Sequence, residues 1–235
     1  MDAFLHFLQL CKNVLMSTTA LPSLRERQKA ETWLALHQAA VASVLERGLE
    51  NATIETITGR AGVSQRTFFN YFPSKEDAVL GLRTPVMDPA LLQGFSLQQD
   101  VLGQVSRLLL TVASSAHEGV DQVRRRELTR QYPHLIHRLV ERMNEAEDLV
   151  RGALAGFLAE NPQWFAGMDG HSKAANELRE EAHGVDDVAR IIVMTAGIPL
   201  RYTVASGGYN PATGLAPEDL TPALTLFHSV QRKLA

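Results

Sequence analysis

Thr53 to Lys75 reads TIETITGRAGVSQRTFFNYFPSK, and the reading of this stretch decides the fold. Thr53 suits a helix N-cap, because its hydroxyl can accept a hydrogen bond from the first turn. Ile54, Ile57 and Ala61 then recur at helical spacing and form the inner face of a short helix. Gly62 breaks that helix, and Ser64 caps a second one, which the pattern carries to Phe72. Pro73-Ser74 ends it and opens a third, with Ser74 and Asp77 spaced like a capping box. Phe68 and Phe72 lie four residues apart, so they point inward together with Val63. Gln65, Arg66, Phe69 and Asn70 are left facing outward. Two short helices joined at a glycine turn describe a helix-turn-helix, whose second helix lies in a DNA major groove.

The outward residues have the chemistry for that role. Gln and Asn pair bidentately with adenine, and Arg with guanine. Phosphates are held by cations, hydroxyls and helix N-termini. Thr53, Ser64, Thr67, Tyr71 and Lys75 supply these at positions flanking the second helix. Between Glu55 and Glu76 there is no acid, while Arg60, Arg66 and Lys75 give a local charge of +3. The whole chain carries a net charge of −3, so bulk charge offers no support for nucleic-acid binding and placement alone carries the case. The competing reading, a small aromatic core with a solvated basic face, does not explain why the turn, the caps and the acid-free window coincide.

Outside this stretch the periodicity is helical almost everywhere, and the fold class is all-α. A helix is predicted over 24–47, with Ala30, Trp33, Leu36, Ala40, Val41, Val44 and Leu45 inward. The two prolines in 84–89 mark a joint. Longer helices follow at about 99–117, 120–131, 134–160, 185–205 and 217–233, with a loop over 161–184. The expected division is an N-terminal extension (1–23), a helix-turn-helix domain with the start of a linker helix (24–83), and a larger helical domain (84–235).

The stretch ATIETITGRAGVSQRTFFNYFPSKEDAVL resembles the N-terminal domain of the tetracycline-repressor (TetR) family of regulators, and the likeness covers about Leu24 to Arg83. The resemblance implies an all-α homodimer in which the first three helices bind DNA. The fourth helix links the domains, and the C-terminal helices hold a small-molecule pocket and a dimerising bundle. Carried over by position, Thr53, Gln65, Arg66, Thr67, Phe69, Asn70, Tyr71 and Lys75 would face DNA. Phe69 departs from the family, which commonly has tyrosine there, and without a hydroxyl it can make only apolar contact.

For the second domain, Tyr132, Met143, Phe157, Trp164, Met194 and Tyr202 are candidates to line an apolar effector pocket. The dimer interface is expected on the last two helices, through Ile191, Ile192, Met194, Leu224, Phe227 and Val230. The expected partners are a near-palindromic double-stranded operator, a second copy of the chain and an unidentified small-molecule effector. The expected activity is repression relieved by that effector. No cofactor is implied. His134 and His137 share a helix face but lack a convincing set of further metal ligands. No catalytic constellation is visible, which argues against a helical enzyme. An architectural or effector-independent DNA-binding protein is the alternative.

The single cysteine, Cys11, fits a reducing cytoplasm. No segment reads as long enough to cross a bilayer, the most apolar run being Ile191 to Leu200 between two arginines. Residues 1–16 lack the basic start of a secretory signal. They read either as an extra amphipathic helix or as sequence upstream of a start at Met16.

Overall fold

The computed structural model describes residues 23–116, 121–166, 182–207 and 215–234, so the readings of Cys11 and of residues 1–16 lie outside the described residues. The described residues contain helices and no strand. They pack as two compact units, one ending at Phe68 and the other beginning at Phe69.

The first unit holds α1 (Leu24–Arg47) and α2 (Ile54–Ala61). Ser23 caps α1, its hydroxyl accepting from Glu26 N at 3.2 Å while Glu26 Oε2 accepts from Ser23 N at 2.7 Å. These bonds to Ser23 hold the Glu26 carboxyl below its ordinary pKa. Trp33, Leu36, Ala40, Val41 and Val44 are buried as their spacing predicts. Ala30 and Leu45 are exposed instead. Ala30 sits ahead of the buried stripe, and Leu45 follows Val44 by one residue, a turn of about 100° that carries it off the inner face.

The second unit begins with the end of α3 (Gln65–Phe69) and α4 (Lys75–Leu80). It continues through α5 (Val101–Ser115), α6 (Gln122–Gln131), α7 (Ile136–Glu160), the short α8 (Gln163–Ala166), α9 (Ala182–Ala205) and α10 (Thr221–Leu234). Its core is the packing of α5, α7 and α9, where Val105, Leu109, Val112, Val150, Leu154, Leu158, Val193 and Ala196 are all buried. Ser106 lets α5 and α9 approach closely, donating from its buried hydroxyl to Ala196 O at 2.7 Å. Asp100 caps α5 in a left-handed conformation (φ +33°), its Oδ1 accepting from Gly103 N at 3.0 Å. The same carboxylate lies 3.0 Å from His228 Nε2 on α10 and 3.3 Å from Arg107 Nη2 on α5.

Three expectations are corrected. The second helix of the motif stops at Phe69, not Phe72, because Pro73 disfavours helical backbone in the residue before it. Leu224 is buried and Ile192 packs against the core, so neither belongs to an exposed face of the last two helices. Finally, one helical stretch, Gly184–Ala205, is long and apolar enough by length and composition to cross a membrane. Its inner face, Ala189, Val193, Ala196 and Leu200, is buried in the three-helix core.

Candidate nucleic-acid interface

In the first unit, Thr53 accepts from Thr56 N at 3.2 Å and Thr56 Oγ1 accepts from Thr53 N at 3.1 Å, a reciprocal capping box that fixes the start of α2. At the other end Gly62 turns the chain with φ +68° and ψ +30°, a left-handed conformation favoured by the absence of a Cβ. Val63 N returns to Thr58 O at 3.1 Å and closes the turn. Ser64 then caps α3, its hydroxyl accepting from Thr67 N at 3.1 Å and lying 2.9 Å from Thr67 Oγ1. Ile57 and Phe68 are fully buried and Val63 is half-buried. Their burial turns Ser64, Gln65 and Arg66 outward: all three are exposed, as is Thr53, while Thr67 is half-buried.

In the second unit Phe72 is fully buried, whereas Phe69 and Asn70 are exposed and Tyr71 and Lys75 are half-buried. Phe69 shows 55% of its surface to solvent. Ser74 caps α4, accepting from Asp77 N at 3.1 Å, and so sets Lys75 as the first residue of the helix. Every expected DNA-facing side chain therefore keeps some exposure, and each apolar residue assigned to the inside of the motif is buried or half-buried.

The acid-free window is less unbalanced than the sequence shows. Glu46, from α1, binds Arg60 and offsets its charge. That partner lies fourteen residues upstream, where no local pattern signals it.

Among the described residues the effector-pocket candidates differ in burial and in partners. Phe157 packs edge-on against Phe95, with ring centroids 5.1 Å apart, and Trp164 Nε1 donates to Leu97 O at 3.2 Å. Met143 rests against the core and Tyr132 is half-buried. Met194 and Tyr202 are at least half exposed on α9. An open groove of about 220 Å³ lies nearby, lined by Leu91, Phe95, Gln104, Arg107, Leu108 and Thr111 among others, and it includes none of the six. His134 and His137 are exposed, and no group of three potential metal ligands occurs among the described residues.

Residues 36–80 match the family described as bacterial regulatory proteins, tetR family. The HTH-type transcriptional regulator TcmR of Streptomyces glaucescens is 30% identical over 152 residues, which are 61% of this chain and 66% of that regulator, just under two thirds of its length. The family match contains the whole of α2, α3 and α4, the elements that carry most of the interface described above. Regulators of this family are DNA-binding transcription factors and not enzymes. Residues 36–80 thus carry a domain of the tetR family of bacterial regulatory proteins, in a chain similar to a regulator of transcription.

Proposed function

We propose that this protein is a cytoplasmic, homodimeric transcription regulator that represses by binding a near-palindromic operator and is released from it by a small molecule. The observation that carries the DNA-binding part is the exposure of Ser64, Gln65 and Arg66 beyond a left-handed Gly62. That arrangement supports insertion of α3 into a major groove, with Gln65, Arg66, Phe69 and Asn70 at base edges and Thr53, Ser64, Thr67, Tyr71 and Lys75 at phosphates.

The dimer reading rests on a different face. Ile191, Met194, Ile198 and Tyr202 follow one side of α9 at helical spacing, and each is at least 45% exposed. Leu226 and Val230 do the same on α10. A row of large apolar side chains of this length needs a cover, and a second copy supplies the same row by two-fold symmetry. Met194 and Tyr202 then serve the dimer contact, not an effector pocket. Two-fold symmetry would place the two recognition helices roughly 35 Å apart, one turn of DNA. An effector acts by preferring a form of the dimer in which that spacing is lost. Residues 24–83 are the DNA-binding part of this scheme, and 84–235 the effector and dimerisation part.

The test is selection of bound fragments from random duplex DNA by the purified protein. One inverted-repeat sequence emerging from the pool is the expected result. Recovery of unrelated sequences at equal strength would overturn the operator reading.

A further inference from the structure

Asp77 is fully buried, and its carboxylate is shared by two arginines of α7. Arg138 grips it with two nitrogens, Nη2 on Oδ2 and Nε on Oδ1, the latter at 3.3 Å. Arg142, one helical turn further on, adds Nη2 to Oδ1 at 3.4 Å. Ser74 completes the set by donating from its hydroxyl to Oδ2 at 2.6 Å. Each arginine is held in place by an acid three residues on: Arg138 by Glu141, and Arg142 by Glu145 at 2.5 Å. Burial opposes charge on Arg138, but Asp77, Glu141 and Glu76 outweigh it and raise its pKa.

The other end of α4 is held as well. Arg125 of α6, itself buried, donates from Nε to Leu80 O at 3.1 Å, a carbonyl left without a partner by the helix end. A helix of six residues is thus tied by its first turn to α7 and by its last carbonyl to α6.

Buried ion pairs are poor sources of net stability, since desolvation consumes most of the Coulombic gain. What such a network supplies is geometry: a fork of donors that accepts a carboxylate in one place only. An apolar contact would allow α4 to slide. This one does not.

We propose that Asp77, Arg138 and Arg142 form an ion latch that positions α4, and with it Lys75, for DNA binding, although none of the three touches the duplex. The proposal rests on the regulator reading above. All the residues involved lie in one compact unit, Lys75 and Asp77 sit in the same first turn of α4, and only five residues separate that turn from Phe69 at the end of the recognition helix. The three are positioning residues, and they act through the helix they hold.

The test uses full-length protein and the sequence selected by the parent. Asp77→Asn keeps the side-chain shape but removes the charge. Arg138→Gln removes the larger share of the grip, and because that side chain is about one quarter exposed the variant is expected to fold. Arg130→Ala, in an exposed pair with Glu127, serves as the control. Affinity is measured well below each variant's melting temperature, over a range of salt. The expected result is a loss of about tenfold or more in operator affinity for both variants, a salt slope lowered equally in both and by no more than about the one unit that Lys75 carries, and a double variant no worse than either single one. The control binds like the parent. Affinities within about twofold of the parent overturn the latch. A salt slope lowered further in Arg138→Gln than in Asp77→Asn also overturns it, by making Arg138 itself a phosphate contact. So does a loss that merely follows the unfolded fraction. A parent that selects no sequence defeats the regulator reading itself, whereas a parent that selects and variants that match it defeat the latch alone.

Discussion

Arg60 Nη2 donates to both carboxylate oxygens of Glu46, at 2.6 and 2.7 Å, and so ties α2 to α1 from the solvent side. The two side chains are 39% and 51% exposed, which places the pair in the class of surface ion pairs worth about 0.2–1 kcal/mol. Arg60→Ala is expected to cost that much stability in denaturant titration. It should change operator affinity far less than Arg66→Ala, because the Arg60 charge is already met within the protein.

Arg66 is exposed on α3 with no acid in its own turn. Arg66→Ala is expected to lose about 1–3 kcal/mol of operator binding and to relax base preference at one position of each half-site. Competition with half-site variants of the selected sequence measures both. Equal discrimination by the variant and the parent would remove Arg66 from the base-reading set.

Lys75 heads α4 and is expected to act on phosphate alone. Lys75→Ala should weaken binding to all sequences alike and lower the slope of log affinity against log salt by about one unit. A loss confined to the selected operator would contradict this assignment.

Gly62 has no heavy atom within 4 Å of the place a Cβ would occupy, so the space around it tolerates a side chain. Its backbone does not, at φ +68°. Gly62→Ala is expected to destabilise by about 1–2 kcal/mol from backbone conformation alone, and Gly62→Asn by less. Melting curves of the three proteins give the order.

The exposed row on α9 gives a prediction about assembly. Ile198→Glu places a charge in the middle of that row and is expected to shift the protein from dimer to monomer in sedimentation equilibrium. An unchanged dimer would move the interface elsewhere.

Glu26 provides a pH dependence. Its carboxyl pKa is lowered in the folded chain by the bonds to Ser23, so ionised Glu26 favours the folded start of α1 above its ordinary pKa. That contribution fades as pH falls through the lowered value. The protection factors of amides in the first turn of α1, taken against the intrinsic exchange rate at each pH, are expected to fall on acidification in the parent, and to lose this dependence in Glu26→Gln.

The parts of the fold visible in the sequence are those set by neighbours along the chain. Trp33, Leu36, Ala40 and Val44 announce a buried helix face through spacing alone. Thr53, Gly62 and Ser64 announce a capped helix, a turn and a second cap because each acts on backbone within three or four residues. Asp77 shows where that ends. Read locally it is the partner of the Ser74 cap, which it is; its two arginines lie 61 and 65 residues away, where no local pattern reaches. Leu224 and Leu226 make the same point on α10, since apolar character alone does not say which of them faces the core. The exposure of Gln65, Arg66, Phe69 and Asn70 is legible because it follows from the inward helical spacing of Phe68 and Phe72. A ligand site has no such rule, and residue type alone does not tell a pocket wall from an exposed helix face, as Met194 and Tyr202 show.

The bend of Asp100 over the start of α5 makes one methyl group matter. A Cβ at position 103 would lie 2.1 Å from Asp100 Oδ2, so any side chain there must push the carboxylate aside. That same carboxylate reaches His228, and displacing it would also cut the tie between α5 and the closing helix of the chain. Alanine, the smallest change available at Gly103, therefore acts at a distance: it would loosen α10 from a point 125 residues before His228.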